Sequence, residues 1–121
     1  MGRRSRSKGA RGERELAARL RELGWASARR GQQFAGGPDS PDIAGAISGV
    51  HIECKRVERL NLAAAMEQAE SDAGALVPLV ASRRNRGPWL VTVRLEDLRQ
   101  LAGLVMMPPD GSDQGNKPPD D

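Results

Sequence analysis

Asp42, Glu53 and Lys55 are the residues in this 121-residue chain whose types and spacing suit a chemical reaction. Glu53 and Lys55 stand two apart in Ile52-Glu53-Cys54-Lys55, and side chains two apart on a β-strand project to the same side. Asp42 follows a proline upstream, and the intervening stretch contains the turn former Gly45–Gly49. A hairpin there would set Asp42 beside the other two. Two carboxylates aimed at one point repel unless a proton or a cation lies between them. Mg2+ suits such a pair, because it takes a few carboxylate oxygens and keeps several waters. In that setting it activates a water and stabilises charge growing on a phosphodiester. A lysine beside the water lowers its pKa and holds the phosphate. A same-face Glu–Lys pair on an exposed strand is common and worth little by itself; Asp42, at hairpin distance, is what favours a site.

Several other residues have both a chemical and a bland reading. Glu13 shares a helix face with Leu16 and Leu20, whereas Glu15 points away. It is either an acid at the inner edge of a core-facing stripe or a first-turn glutamate favoured by the helix dipole. Gln68 lies beside the buried stripe of a later helix, within reach of an attacking water or a carboxylate, or is an ordinary half-exposed side chain. His51 is the only histidine; it sits on the Glu53 face, cannot form a zinc cluster alone, and is not read as catalytic. Cys54 falls on the opposite, core-facing side and reads as packing. Its backbone carbonyl lies between Glu53 and Lys55 and is a candidate metal ligand.

The elements that must position these residues follow from periodicity. A helix is expected from about Arg11 to Leu23, with Leu16, Leu20 and Leu23 as its apolar stripe and Gly24 as its stop. Trp25–Arg30 reads as a short strand, 31–41 as a Gly/Pro-rich loop, and Asp42–Ala44 as a second short strand. Val50–Arg56 is the clearest strand: Val50, Ile52 and Cys54 form a core face, and His51, Glu53 and Lys55 a charged one. Asn61 caps a helix to Ala73, with Leu62, Ala65, Met66, Ala69 and Ala73 buried and Gly74 ending it. Leu76–Ala81 and Trp89–Arg94 read as strands joined by the basic loop Ser82–Gly87, and Leu95–Ala102 as a last helix. The order predicts an α/β domain with a mixed sheet.

Composition bounds the function. With two Trp, one Phe and no Tyr, the chain lacks the aromatic platforms on which single-stranded nucleic acid stacks. One cysteine excludes an intramolecular disulfide and a cysteine-based zinc cluster. No apolar run reaches membrane-span length and the basic N-terminus lacks a signal peptide's apolar segment, so a soluble, cytoplasmic protein is expected. The net charge of +3 hides a polarity: residues 1–30 carry ten basic and three acidic side chains, whereas 108–121 carry one Lys and four Asp. Residues 1–9 are expected to be a flexible basic arm, 10–107 the folded domain, and 108–121 a disordered tail. The arm's Arg3, Arg4, Arg6 and Lys8 suit binding to DNA phosphates, which releases counterions; a solubilising leader explains the same charges equally well.

Asp42, Glu53-x-Lys55 and the upstream Glu13 resemble the PD-(D/E)xK nuclease superfamily. The opening Lys8-Gly9-Ala10-Arg11-Gly12-Glu13-Arg14-Glu15-Leu16 is similar to the start of archaeal-type Holliday junction resolvases, and small proteins of this kind are frequent in bacteriophages. The resemblance spans residues 8–94. It implies a restriction-endonuclease-like core, a mixed central sheet flanked by helices. It also implies a dimeric, Mg2+-dependent endonuclease, with Mn2+ as a substitute, acting on four-way junctions. The active-site set would be Glu13, Asp42, Glu53 and Lys55, with Arg14, Arg29 and the neighbouring Arg30 on DNA. A Gly-Gly-Pro-Asp run at 36–39 is similar to the viral-type replication-repair nucleases of the superfamily, which leaves Asp39 as an alternative to Asp42. Asp42 is preferred because it directly precedes the strand-like Ile43. Nucleases acting on other branched or broken DNAs, and a catalytically idle DNA-binding module, are the rival functions.

Overall fold

A long run of Arg, Glu, Ala and Leu without proline forms α1, Gly2–Glu22. The computed structural model describes residues 2–32 and 41–108, with residues 2–8 by backbone alone. The helix therefore starts nine residues earlier than the apolar stripe suggests, and the segment expected as a flexible arm is helical. Arg, Lys and Ser oppose a helix only weakly, and no proline interrupts them. Gly24, at φ +119°, ends it. Leu16 and Ala17 are buried, as the stripe requires, but Leu23 is 56% exposed. It follows the last helical residue and lies beyond the part of α1 that meets the sheet.

Five strands form one mixed sheet in sequence order: β1 (Arg29–Arg30), β2 (Ile43–Ala44), β3 (Val50–Arg56), β4 (Val77–Arg83) and β5 (Leu90–Thr92). Only β3 and β4 run parallel, which demands a crossover; α2 (Leu62–Ala73) supplies it. Asn61 caps α2 by accepting the amide of Ala64, and Gly74 follows its end. After β5 a 3-10 turn, Leu95–Asp97, leads into α3 (Leu98–Val105), slightly later than the periodicity predicts.

The two faces of β3 and β4 are both covered. On one, Leu16 and Ala17 of α1 pack with Val50, Ile52, Val77, Leu79 and Ala81, joined by Leu101 of α3. On the other, Ala65 and Ala69 of α2 pack on Val80. The charged face of β3 is thus covered as well: His51 and Glu53 are buried, because the crossover lays α2 over them. Within α2 the expected stripe holds at Ala65, Ala69 and Ala73, while Leu62, at the first turn, is 42% exposed.

Gly12 sets how closely α1 meets the sheet. A Cβ there would lie 2.7 Å from Cβ of Arg56, a collision that glycine avoids. The helix consequently passes directly over the end of β3.

Candidate active site

The β2–β3 hairpin does what the spacing of Asp42 and Glu53 requires. Ile43 pairs with Ile52, and the amide of Asp42 donates to the carbonyl of Ile52 at 3.0 Å. The Asp42 carboxylate in turn accepts the amide of Cys54 at 2.7 Å. That bond pins the side chain against β3 beside Glu53, with which it also hydrogen-bonds. Glu13 reaches the same place from α1, as its position beside Leu16 on the buried face dictates. It is close enough for its charge to act on Asp42, and it accepts a bond from Arg30 Nε at 2.6 Å.

Lys55 is half-buried on the α2 side of β3, where its charge favours ionised Glu53. Its ammonium donates to Oε1 of Gln68 at 3.4 Å, a long contact between α2 and the site. His51 Nε2 lies 2.7 Å from Oε2 of Glu53, and the ring is fully buried. With Glu53 ionised, Nε2 donates to the carboxylate, and among the described residues the buried Nδ1 has no hydrogen-bond partner. Asp72 of α2 completes a second grouping, its carboxylate within 4.8 Å of ligand atoms of His51 and Glu53.

These contacts give the two central acids opposite characters. Burial, seconded by the charges of Glu53 and Glu13, pushes the Asp42 carboxyl from 3.8 up to about 7, against the pull of the Cys54 amide. Burial also works against ionised Glu53, but hydrogen bonds from His51 and Asp42, with Lys55 nearby, hold it below its ordinary value. One proton is thus shared by the pair where two negative charges would otherwise meet. Burial and the surrounding acids raise the Cys54 thiol to about 12, so its sulfur is neither nucleophile nor thiolate ligand, in keeping with its packing role.

A proton held between carboxylates marks a place suited to a cation. Asp42, Glu53 and Glu13 offer oxygen only, which suits a hard ion such as Mg2+ or Mn2+. The His51–Glu53–Asp72 grouping, whose ligand atoms lie within 4.8 Å of one another, shares Glu53 with this set.

This geometry matches what comparison with known proteins finds. The profile of the archaeal Holliday junction resolvase family (Hjc) matches residues 4–106. The chain belongs to that family. No curated protein and no solved structure matches it. Membership of the resolvase family makes the chain a nuclease, and its mixed five-stranded sheet with three helices is consistent with the restriction-endonuclease-like core expected.

Of the residues singled out in the sequence, Asp42 and Glu53 stand side by side, Glu13 acts on Asp42, Lys55 on Glu53, and Gln68 touches Lys55. The DNA-binding candidates are more dispersed. Arg14 is exposed and Arg29 donates to the Ser27 carbonyl at 3.4 Å. Arg30 is engaged by Glu13 and so also positions a candidate acid. The side chains of Arg3, Arg4, Arg6 and Lys8 lie outside the described residues, as do Asp39 and the 36–39 run. Sequence reasoning placed His51 on the Glu53 face without giving it a role, and did not single out Asp72. The signal for Asp72 was its four-residue spacing from Gln68, which puts both on one face of α2. The burial of His51 had no local signal. No helix among the described residues is long and apolar enough to cross a membrane.

Proposed function

We propose that the protein is a Mg2+-dependent endonuclease that nicks DNA at four-way junctions and works as a homodimer. The observation that carries this reading is the Asp42 carboxylate held on β3 beside Glu53 by the Cys54 amide, with the charges of Glu13 and Lys55 acting on the pair. Asp42, Glu53 and Glu13 would hold the cation, with the Cys54 carbonyl as a further oxygen donor, and Mn2+ would replace Mg2+. When bound, the ion supplies an activated water and neutralises charge developing on the phosphodiester.

The chain's own groups do the rest. Lys55 presents an ammonium to the water and to a phosphate oxygen, stabilising the negative charge on both as the P–O bond is attacked. Gln68, holding Lys55 from α2, fixes the direction of that ammonium. His51 orients Glu53, and Arg30 orients Glu13. A module that only bound DNA would gain nothing from three acids turned towards phosphate, which weighs against the idle alternative.

Resolving a four-way junction takes two symmetric nicks, hence two sites related by a two-fold axis. Exposed apolar side chains at the free edge of β5 and on α3 support a subunit contact there. The test is cleavage of branched and linear DNAs of matched sequence with Mg2+ present. Paired nicks at the junction, lost in Asp42→Asn, are expected. Equal cutting of linear duplex would overturn the junction assignment, and undiminished cutting by Asp42→Asn would overturn the site.

A further inference from the structure

Beyond Lys55, β3 and β4 end together in register, Lys55 opposite Ser82 and Arg56 opposite Arg83. The two connections that follow, 57–61 and 84–89, therefore leave the sheet side by side. They are tied to each other: Arg56 donates to Oδ1 of Asn85 at 2.9 Å, and the Asn85 amide donates to Glu58 at 2.5 Å. The turn after β4 is closed by the Gly87 amide on the Arg84 carbonyl, and Arg83 Nε donates to the Gly87 carbonyl at 2.6 Å. Glu15 of α1 binds both Arg56 and Arg83 from the other side. All the acids here are thus engaged with groups inside the frame.

Three arginines are left over. Arg59, Arg84 and Arg86 are exposed, and among the described residues no hydrogen bond or ion pair engages their side chains. Arg86 also sits at φ +63°, the one positive-φ residue other than glycine among those described. The left-handed region strains a side-chain-bearing residue, and glycine would occupy it freely. Among the described residues, no internal contact of the Arg86 side chain offsets that strain.

We propose that the paired connections after β3 and β4 form a phosphate clamp, in which Arg59, Arg84 and Arg86 grip the DNA strand on one side of the cut. The proposal rests on the nuclease reading above. Arg84 begins two residues past Ser82, the register partner of Lys55, about 7 Å along the strand direction. Phosphates follow one another at about 3.4 Å of helix axis per strand, so the clamp meets those about two to four nucleotides from the scissile bond. The frame makes it a preformed site, and its three guanidinium groups address the phosphate backbone, without sequence readout.

The test uses the full chain, wild type and Arg59→Gln/Arg84→Gln/Arg86→Gln, with Arg99→Gln as an exposed control on α3. Binding to a four-way junction is measured across salt concentrations without divalent metal. Each phosphate that is no longer neutralised lowers the slope of log affinity on log salt by about 0.9, so the triple variant, which removes the arginines from both subunits of the dimer, should lose about 5 while the control loses less than about 1. Junctions carrying neutral methylphosphonates on one side of the cut should weaken wild type but not the triple variant. Arg86→Gly should weaken binding while its melting temperature holds or rises, since glycine relieves the backbone. An unchanged slope, or a weakening in the triple variant that is blind to which phosphates are neutral, overturns the clamp. A wild type that binds the junction but cuts nothing would instead remove the nuclease reading and leave the clamp's binding result standing on its own.

Discussion

A carboxyl group raised to about 7 holds a proton far above its ordinary range, and Asp42 is such a group because it is buried beside Glu53 and Glu13. Its folded-state value lies above the unfolded 3.8, so protonation favours folding. That contribution is complete below the unfolded value and is lost as pH rises through about 7. Glu53, held low, contributes in the opposite sense and only towards acid. Asparagine imitates the protonated Asp42, keeping an acceptor for the Cys54 amide and a donor for Glu53. Metal-free Asp42→Asn should therefore melt at or above wild type at about pH 8, with a flatter pH dependence, and should cut DNA about a thousandfold more slowly. Thermal melts across pH, with cleavage rates, check both; a variant that melts well below wild type at alkaline pH would contradict the shared proton. His51 bears on the same acid. His51→Ala should weaken Mn2+ binding about 10–100-fold in calorimetry, as removing a ligand's hydrogen-bond partner does, and His51→Gln, which keeps a donor, should recover part of it. Equal affinities in all three proteins would mean that His51 only fills space.

At the scale of elements, the site depends on two fixed approaches. The hairpin brings Asp42 to β3 through backbone bonds, so its register is set locally. The approach of α1 is not local: Glu13 arrives only because Gly12 lets the helix lie on Arg56. Gly12→Ala should overpack this contact and cost about 1–3 kcal/mol, lowering the melting temperature by several degrees. Because Glu13 is the next residue, metal affinity should fall as well. Melting and metal titration on the same sample separate the effects, and an unchanged melting temperature would show that α1 can lift without penalty.

For the whole molecule, the proposed homodimer calls for an interface. Leu90, Leu95 and Met106 are 60%, 82% and 83% exposed, on the free edge of the sheet and around the last helix. Stable interfaces bury about 800 Å2 per partner, and this is the broad apolar surface that a second copy would cover. Leu95→Lys with Met106→Lys adds charge where little is packed within the subunit, so the melting temperature of dilute protein should barely move. Light scattering should report a monomer for the variant and a dimer for wild type. A variant that stays dimeric would put the interface elsewhere and leave the nuclease site unaffected.

The sequence alone determined most of the site: the period-two run His51, Glu53, Lys55, the turn between Asp42 and Glu53, and Glu13 on the inward stripe of α1 all follow from local geometry. Turn residues, helix stops and the Asn61 cap were legible for the same reason, since each acts through its nearest neighbours in the chain. The early start of α1 was missed because apolar periodicity reports the packed part of a helix and is silent where a helix extends beyond it. What only the tertiary structure decided is what lies above β3. The crossover from β3 to β4 lays α2 on the polar face of the strand, burying His51 and bringing in Asp72 and Gln68. It also sets the ends of β3 and β4 together, so that Arg59 and Arg86, 27 positions apart in the sequence, belong to one frame. A parallel pair of strands requires a long connection, and where that connection lies is fixed by the burial of its apolar face, which no local pattern encodes.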